Sequence, residues 1–121
     1  MRFREEDLAA LAAAQEIEIE TRAADEAVHR TIIWVADHDG DVYLRSVNGA
    51  GARWYREATS GRPVALHVAG RRLPVTLEHA ADSDGIEACS AGLSAKYRRS
   101  MSLASMLAPD VLETTLRVVP A

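Results

Sequence analysis

"TIIWVADHDGDVYLRSVNGAGARWYREA", residues 31–58, decides the fold. Its first half is apolar and β-branched, which suits a buried strand. Asp39-Gly40 then supplies the two-residue turn that favours a hairpin, and "VYLRSV" is the return strand. On that strand Val42, Leu44 and Ser46 share one face, and Tyr43, Arg45 and Val47 share the other. The second half breaks into Asn48, Gly49, Ala50 and Gly51. A short helix over 52–60 follows, with Trp54 and Ala58 on one face and Gly61 as its stop. Two glycines, three arginines, Trp54 and Tyr55 fall within residues 45–56, on a chain with only six aromatic residues.

That concentration has two readings. Gly49 and Gly51 let a ligand approach the backbone, and a helix start offers free N–H groups to an anion. Arg45 and Arg53 can add bidentate contacts, Ser46 a hydroxyl and Asn48 an amide. Trp54 and Tyr55 then frame a groove. The other reading is an ordinary turn with Trp54 in the core. Neither the GxxxxGK[ST] nor the GxGxxG phosphate pattern is present.

Outward from this stretch, the pattern is that of one domain, 1–121. Residues 4–14 form a helix with Leu8, Leu11 and Ala12 on one face. "EIEIET", 16–21, alternates as a half-buried strand with Ile17 and Ile19 inward. "VHRTIIWVA", 28–36, is a single strand on this pattern. Residues 62–70 and 71–79 form a second hairpin, in which Pro74 predicts an edge or a bulge. Residues 82–100 are loop then helix, with Asp84 and Glu87 as a capping-box-like start and Ile86, Cys89, Leu93 and Tyr97 as a core stripe. Residues 101–109 suit a further short helix and 114–120 a last strand. Six short strands with small helices between them predict a mainly β (α+β) barrel with peripheral helices.

Composition excludes several classes. Hydrophobic residues are 48% and charged residues 26%, with a net charge of −4. That acidic balance argues against nucleic acid as a partner. No apolar run approaches a bilayer span, and the acidic N-terminus lacks a secretory h-region, so a cytoplasmic protein without membrane partners is expected. The single cysteine, Cys89, forms no intrachain disulfide. The four histidines lack metal-site spacing, so no metal site is expected. The charge is uneven. Residues 1–26 hold eight acids against three arginines, and residues 45–72 hold six arginines against one acid, Glu57. A locally basic middle suits a small anionic ligand. In "AKYRR", Lys96 and Tyr97 are the weak candidates for catalysis, since an ammonium and a phenol can polarise a carbonyl or nitro group. They equally suit a cation-rich helix end.

"EEDLAALAAAQEIEI", "TIIWVADHDGDVYLRS", "GAGARWYREA", "AKYRR" and "ETTLRVVP" occur in the order of the bacterial DUF2255 family, which the chain resembles over nearly its whole length. The resemblance implies a six-stranded split β-barrel, similar to the flavin-reductase and pyridoxamine-phosphate-oxidase-like proteins and to deazaflavin-dependent nitroreductases. It implies a homodimer and a groove for FMN or F420, with Arg45, Ser46, Asn48, Gly49, Gly51, Arg53, Trp54 and Tyr55 as the cofactor-binding set. The expected function is that of a flavin- or deazaflavin-binding oxidoreductase. Two alternatives stay open: a cofactor-free barrel enzyme, a cyclase or isomerase acting on an apolar metabolite, and a non-catalytic small-molecule-binding dimer.

Overall fold

A computed structural model describes residues 2–121; Met1, the first residue of the expected domain, lies outside the described residues. Helix α1 (Glu5–Ala13) leads into β1 (Ile17–Arg22) and β2 (Val28–Ile33). The chain continues as β3 (Ala36–His38), β4 (Asp41–Leu44), a 3₁₀ turn (Gly49–Gly51) and α2 (Arg53–Ala58). After these come β5 (Val64–Val68), β6 (Arg71–His79), α3 (Ser83–Lys96), α4 (Leu103–Met106), a second 3₁₀ turn (Pro109–Thr114) and β7 (Leu116–Pro120).

The strands form one antiparallel sheet in the order β2-β1-β5-β6-β7-β4-β3. Its two edges, β2 and β3, are consecutive in the chain and joined by Trp34 and Val35 alone. One bent segment therefore holds both edges of a curled sheet. The sheet has seven strands where the sequence pattern predicts six, because the apolar run 28–36 does not stay straight. Val35 is 1% exposed, so its peptide groups leave the ladder where no water reaches them. They need other partners.

Tyr97 and Lys96 provide them. The Tyr97 hydroxyl donates to Gln15 O at 2.7 Å, has Val35 O at 3.2 Å, and accepts from Val35 N–H at 3.3 Å. Lys96 Nζ donates to Val35 O and to Leu11 O, each at 2.9 Å. The C-terminal end of α3 thus pins both the sheet break and the end of α1.

The local signals explain most elements. Asp39 has a φ of 51° and Gly40 a φ of 84°. Positive φ at both positions is the conformation of a two-residue hairpin turn, and His38 pairs with Asp41 across it. Ile17 and Ile19 are buried as their alternation demands. Val42 and Leu44 enter the barrel core with Leu11, Ile19, Leu66 and Leu116. Tyr43, on the opposite face, packs with Cys89 and Leu93 of α3. Gly92 permits that packing: a Cβ there would lie 2.6 Å from Asp37 O. The α3 cap differs from the expected capping box, since Asp82 is the N-cap and accepts from Gly85 N–H at 3.1 Å. Pro74 pairs with Ala65, and the β6–β7 ladder runs only from Val75 to His79. Its carbonyl accepts from Ala121 N–H, so its missing donor falls at the ladder's end, where it costs least. Among the described residues no helix is long and apolar enough to cross a membrane.

Candidate functional site

A cleft of about 360 Å³ opens beside the sheet break. That volume falls within the size range of small-ligand sites. Its floor and one wall come from the end of β2 and the bend, with Thr31, Ile33 and Trp34. Trp54 from α2 provides a second aromatic wall. Arg45 and Asn48, which follow β4, line it with Ser102, Ser105 and Met106 around α4. Glu16 is the one carboxylate among the described lining residues. Ile32 and Val47 stand at the cleft 62% and 46% exposed.

Arg45 is the most unusual of these residues. It is 2% exposed. Its Nε donates to Thr115 Oγ1 at 2.9 Å, and one terminal nitrogen donates to Ser90 Oγ and Met106 O at 3.0 Å each. The other terminal nitrogen donates to Ile86 O at 3.2 Å. No carboxylate pairs with it among the described residues. Burial pushes its pKa down, partly offset by Cys89. A guanidinium has five N–H donors, and four are accounted for. A buried cation with neutral partners only, on the wall of a cleft, favours an anion beside it.

Trp34 is held from behind. Tyr97 stacks on it with ring centroids 3.8 Å apart and planes within 4°. Tyr97 is buried, and desolvation pushes its hydroxyl up to about 12. Lys96 Nζ lies 5.4 Å from the Tyr97 ring centre, and burial lowers its pKa. Trp54 meets Tyr55 edge to face at 6.0 Å.

The structure divides the sequence-derived set. It brings Arg45, Asn48 and Trp54 to the cleft. Ser46 lies behind it: its Oγ donates to Gly49 O at 2.8 Å and its N–H to Thr114 Oγ1 at 2.9 Å. Gly49 has φ of 78° and Gly51 forms the 3₁₀ turn, but neither lines the cleft. The helix behind them has only six residues, so its dipole is a weak anion lure. Arg53 is exposed and reaches Thr31 Oγ1 at 3.5 Å, while Tyr55 is buried in the core cluster. Lys96 and Tyr97 do not line the cleft, and their polar atoms are committed to main-chain groups. They support Trp34, which the sequence pattern presents as one more apolar strand residue. Thr31, Ser102, Ser105 and Met106 are also absent from the sequence-derived set, since nothing in their spacing marks them.

A second, acidic groove lies between the hairpin tip and the start of α3, lined by Asp39, Asp41, Asp82, Asp84 and Glu87. Among the described residues no three His, Cys, Asp or Glu side chains converge as a metal site.

The chain belongs to the DUF2255 family, described as an uncharacterized protein conserved in bacteria, whose model matches residues 7–118. No curated protein matches the sequence. Its fold is similar to that of a protein proposed to be a pyridoxamine 5′-phosphate oxidase from Listeria innocua. That match has a TM-score of 0.66 and 17% identity, and covers 96% of this chain and 91% of that one. An F420 reductase is similar at a TM-score of 0.64 and 15% identity, over 93% of this chain and 91% of that one. The FAD binding protein from Mycobacterium smegmatis matches at a TM-score of 0.54 and 17% identity, over 100% of this chain and 92% of that one. The fold is therefore that of a split β-barrel, shared with these three proteins.

Proposed function

We propose that this DUF2255 protein binds a flavin or deazaflavin, FMN or F420, in the cleft between Trp34 and Trp54 and serves as an oxidoreductase. The observation that carries the reading is Arg45, a buried guanidinium without a carboxylate partner among the described residues, on the wall of a cleft flanked by two indoles. The residues fit such a group. The Trp34 indole offers a π-face to a planar ring, and Trp54 bounds the cleft. The remaining Arg45 N–H, Asn48, Ser102 and Ser105 offer donors to an anionic tail. Glu16 lines the cleft and follows Gln15, whose carbonyl accepts from the Tyr97 hydroxyl behind Trp34, so it lies toward the Trp34 side. It repels the tail from there, so the tail takes the Arg45 side.

When bound, the cofactor supplies hydride chemistry, while the protein binds, orients and excludes water. No protein acid or base is needed for that division of labour. The exposed Ile32 and Val47 at the cleft support a homodimer in which the partner covers the ligand. The cleft is open and bears Arg45 and Glu16, unlike the closed apolar cavity that a cofactor-free cyclase requires.

Titration of the purified full chain with FMN, F420 and FAD, read by cofactor fluorescence and thermal shift, tests the proposal. Saturable micromolar binding with a raised melting temperature is expected for at least one of them. No binding to any of the three overturns it.

A further inference from the structure

We infer that Trp34 is the stacking platform for a planar, electron-poor conjugated ring, which lies parallel to the indole as the third layer of a Tyr97–Trp34–ligand stack. This rests on the cleft reading above and deepens it by naming the residue that selects the ligand's ring system.

Three observations carry it. One face of the Trp34 indole is already covered by Tyr97 at 3.8 Å and 4°. Trp34 is only partly buried and lines the cleft, so the rest of its surface is offered to a ligand there. The Tyr97 ring is held in place behind the indole. The Tyr97 hydroxyl is tied to Gln15 O and Val35, and Lys96 ties the next peptide unit at Val35 O. Holding a platform in place before binding removes the ordering cost that a free surface indole would impose. An indole is electron-rich, so an electron-poor ring such as an isoalloxazine stacks on it favourably. Trp54 differs: it is 8% exposed, sits in the barrel core and meets Tyr55 in a T-shaped contact. It limits the width of the cleft and contributes no pre-stacked face.

The test uses riboflavin, which has the ring and no phosphate, alongside FMN. Wild type, Trp34→Leu and Trp34→Phe are compared by flavin emission, with circular dichroism and a thermal melt to verify folding. Trp34→Leu should weaken both ligands by roughly tenfold or more, the scale of an aromatic stacking contact. Trp34→Phe keeps a ring for stacking and should retain most of the affinity. Unchanged FMN affinity in a folded Trp34→Leu, or a folded Trp34→Phe that binds as weakly as Trp34→Leu, overturns the platform and leaves the cleft reading standing. Failure of both FMN and riboflavin to bind wild type overturns the platform; if F420 and FAD fail as well, the cleft reading falls with it.

Discussion

The Tyr97 phenol and the Trp34 indole lie parallel, 3.8 Å apart, and the Tyr97 hydroxyl reaches past the stack to the peptide groups of Val35. One side chain therefore supports a cleft wall and satisfies the break at which the sheet turns between its edges. Tyr97→Phe separates the two roles. It keeps the ring and leaves the Val35 N–H and Gln15 O without this partner. A loss of about 1–3 kcal/mol is expected, the cost of unsatisfied buried polar groups. Urea denaturation of the two proteins checks it.

Arg45 and Arg53 should behave oppositely on substitution. Arg45→Met removes four hydrogen bonds, to Met106 O, Ile86 O and the hydroxyls of Ser90 and Thr115. It should cost about 2–4 kcal/mol, the scale of several buried polar groups left unpaired. Arg53 is exposed with one long contact. Surface substitutions of that kind change stability by about 0.5 kcal/mol or less, and Arg53→Ala should do the same. Chemical denaturation of both variants checks the contrast. Equal, small effects would show that the Arg45 bond set is not maintained in solution.

Gly92→Ala tests how α3 sits on β3. Helix propensity alone favours alanine by about 1 kcal/mol. A Cβ at this position would meet Asp37 O at 2.6 Å and the Ala36 Cβ at 3.2 Å, and Asp37 O is backbone. Packing should win, with a net loss of about 1–3 kcal/mol. A thermal melt that rises instead would mean the helix shifts freely.

Glu20 gives the pH dependence. Arg72 donates to both its oxygens, and His67 faces one of them at 2.8 Å. Hydrogen bonding to Arg72 is the largest cause that holds its pKa down, at about 2 against an ordinary 4.5. A carboxyl depressed by folding stabilises above its unfolded value and loses that contribution as pH falls toward the folded value. Arg72 is half exposed, so solvent screening keeps the contribution modest. Wild type should exceed Glu20→Gln in urea midpoint at neutral pH, and the gap should close between about pH 4.5 and 2. A gap that stays constant across that range would contradict the coupling.

The fold was legible where one signal acted alone. Asp39-Gly40 specified its hairpin, Ile17 and Ile19 their burial, and the parity of Val42, Tyr43 and Leu44 the two sides of the sheet. The same parity placed Arg45 on the α3 side with Tyr43. It could not show that α3 would supply carbonyls and hydroxyls to bury a guanidinium. The bend at Trp34 and Val35 was hidden because β-branched and aromatic residues continue through it; the cause lies in Tyr97 and Lys96, far along the chain. Gly49 and Gly51 advertised an anion loop, but the turn they form serves to launch a short helix beside the cleft.

The most direct measurement is an amide and side-chain ¹⁵N correlation spectrum of the labelled protein through an FMN titration. The indole N–H signals of Trp34 and Trp54 and the Arg45 Nε–H signal should shift together and saturate at one affinity. Shifts confined to the acidic groove of Asp39, Asp41 and Asp82, or no saturable shift at these three signals, would contradict binding in the cleft.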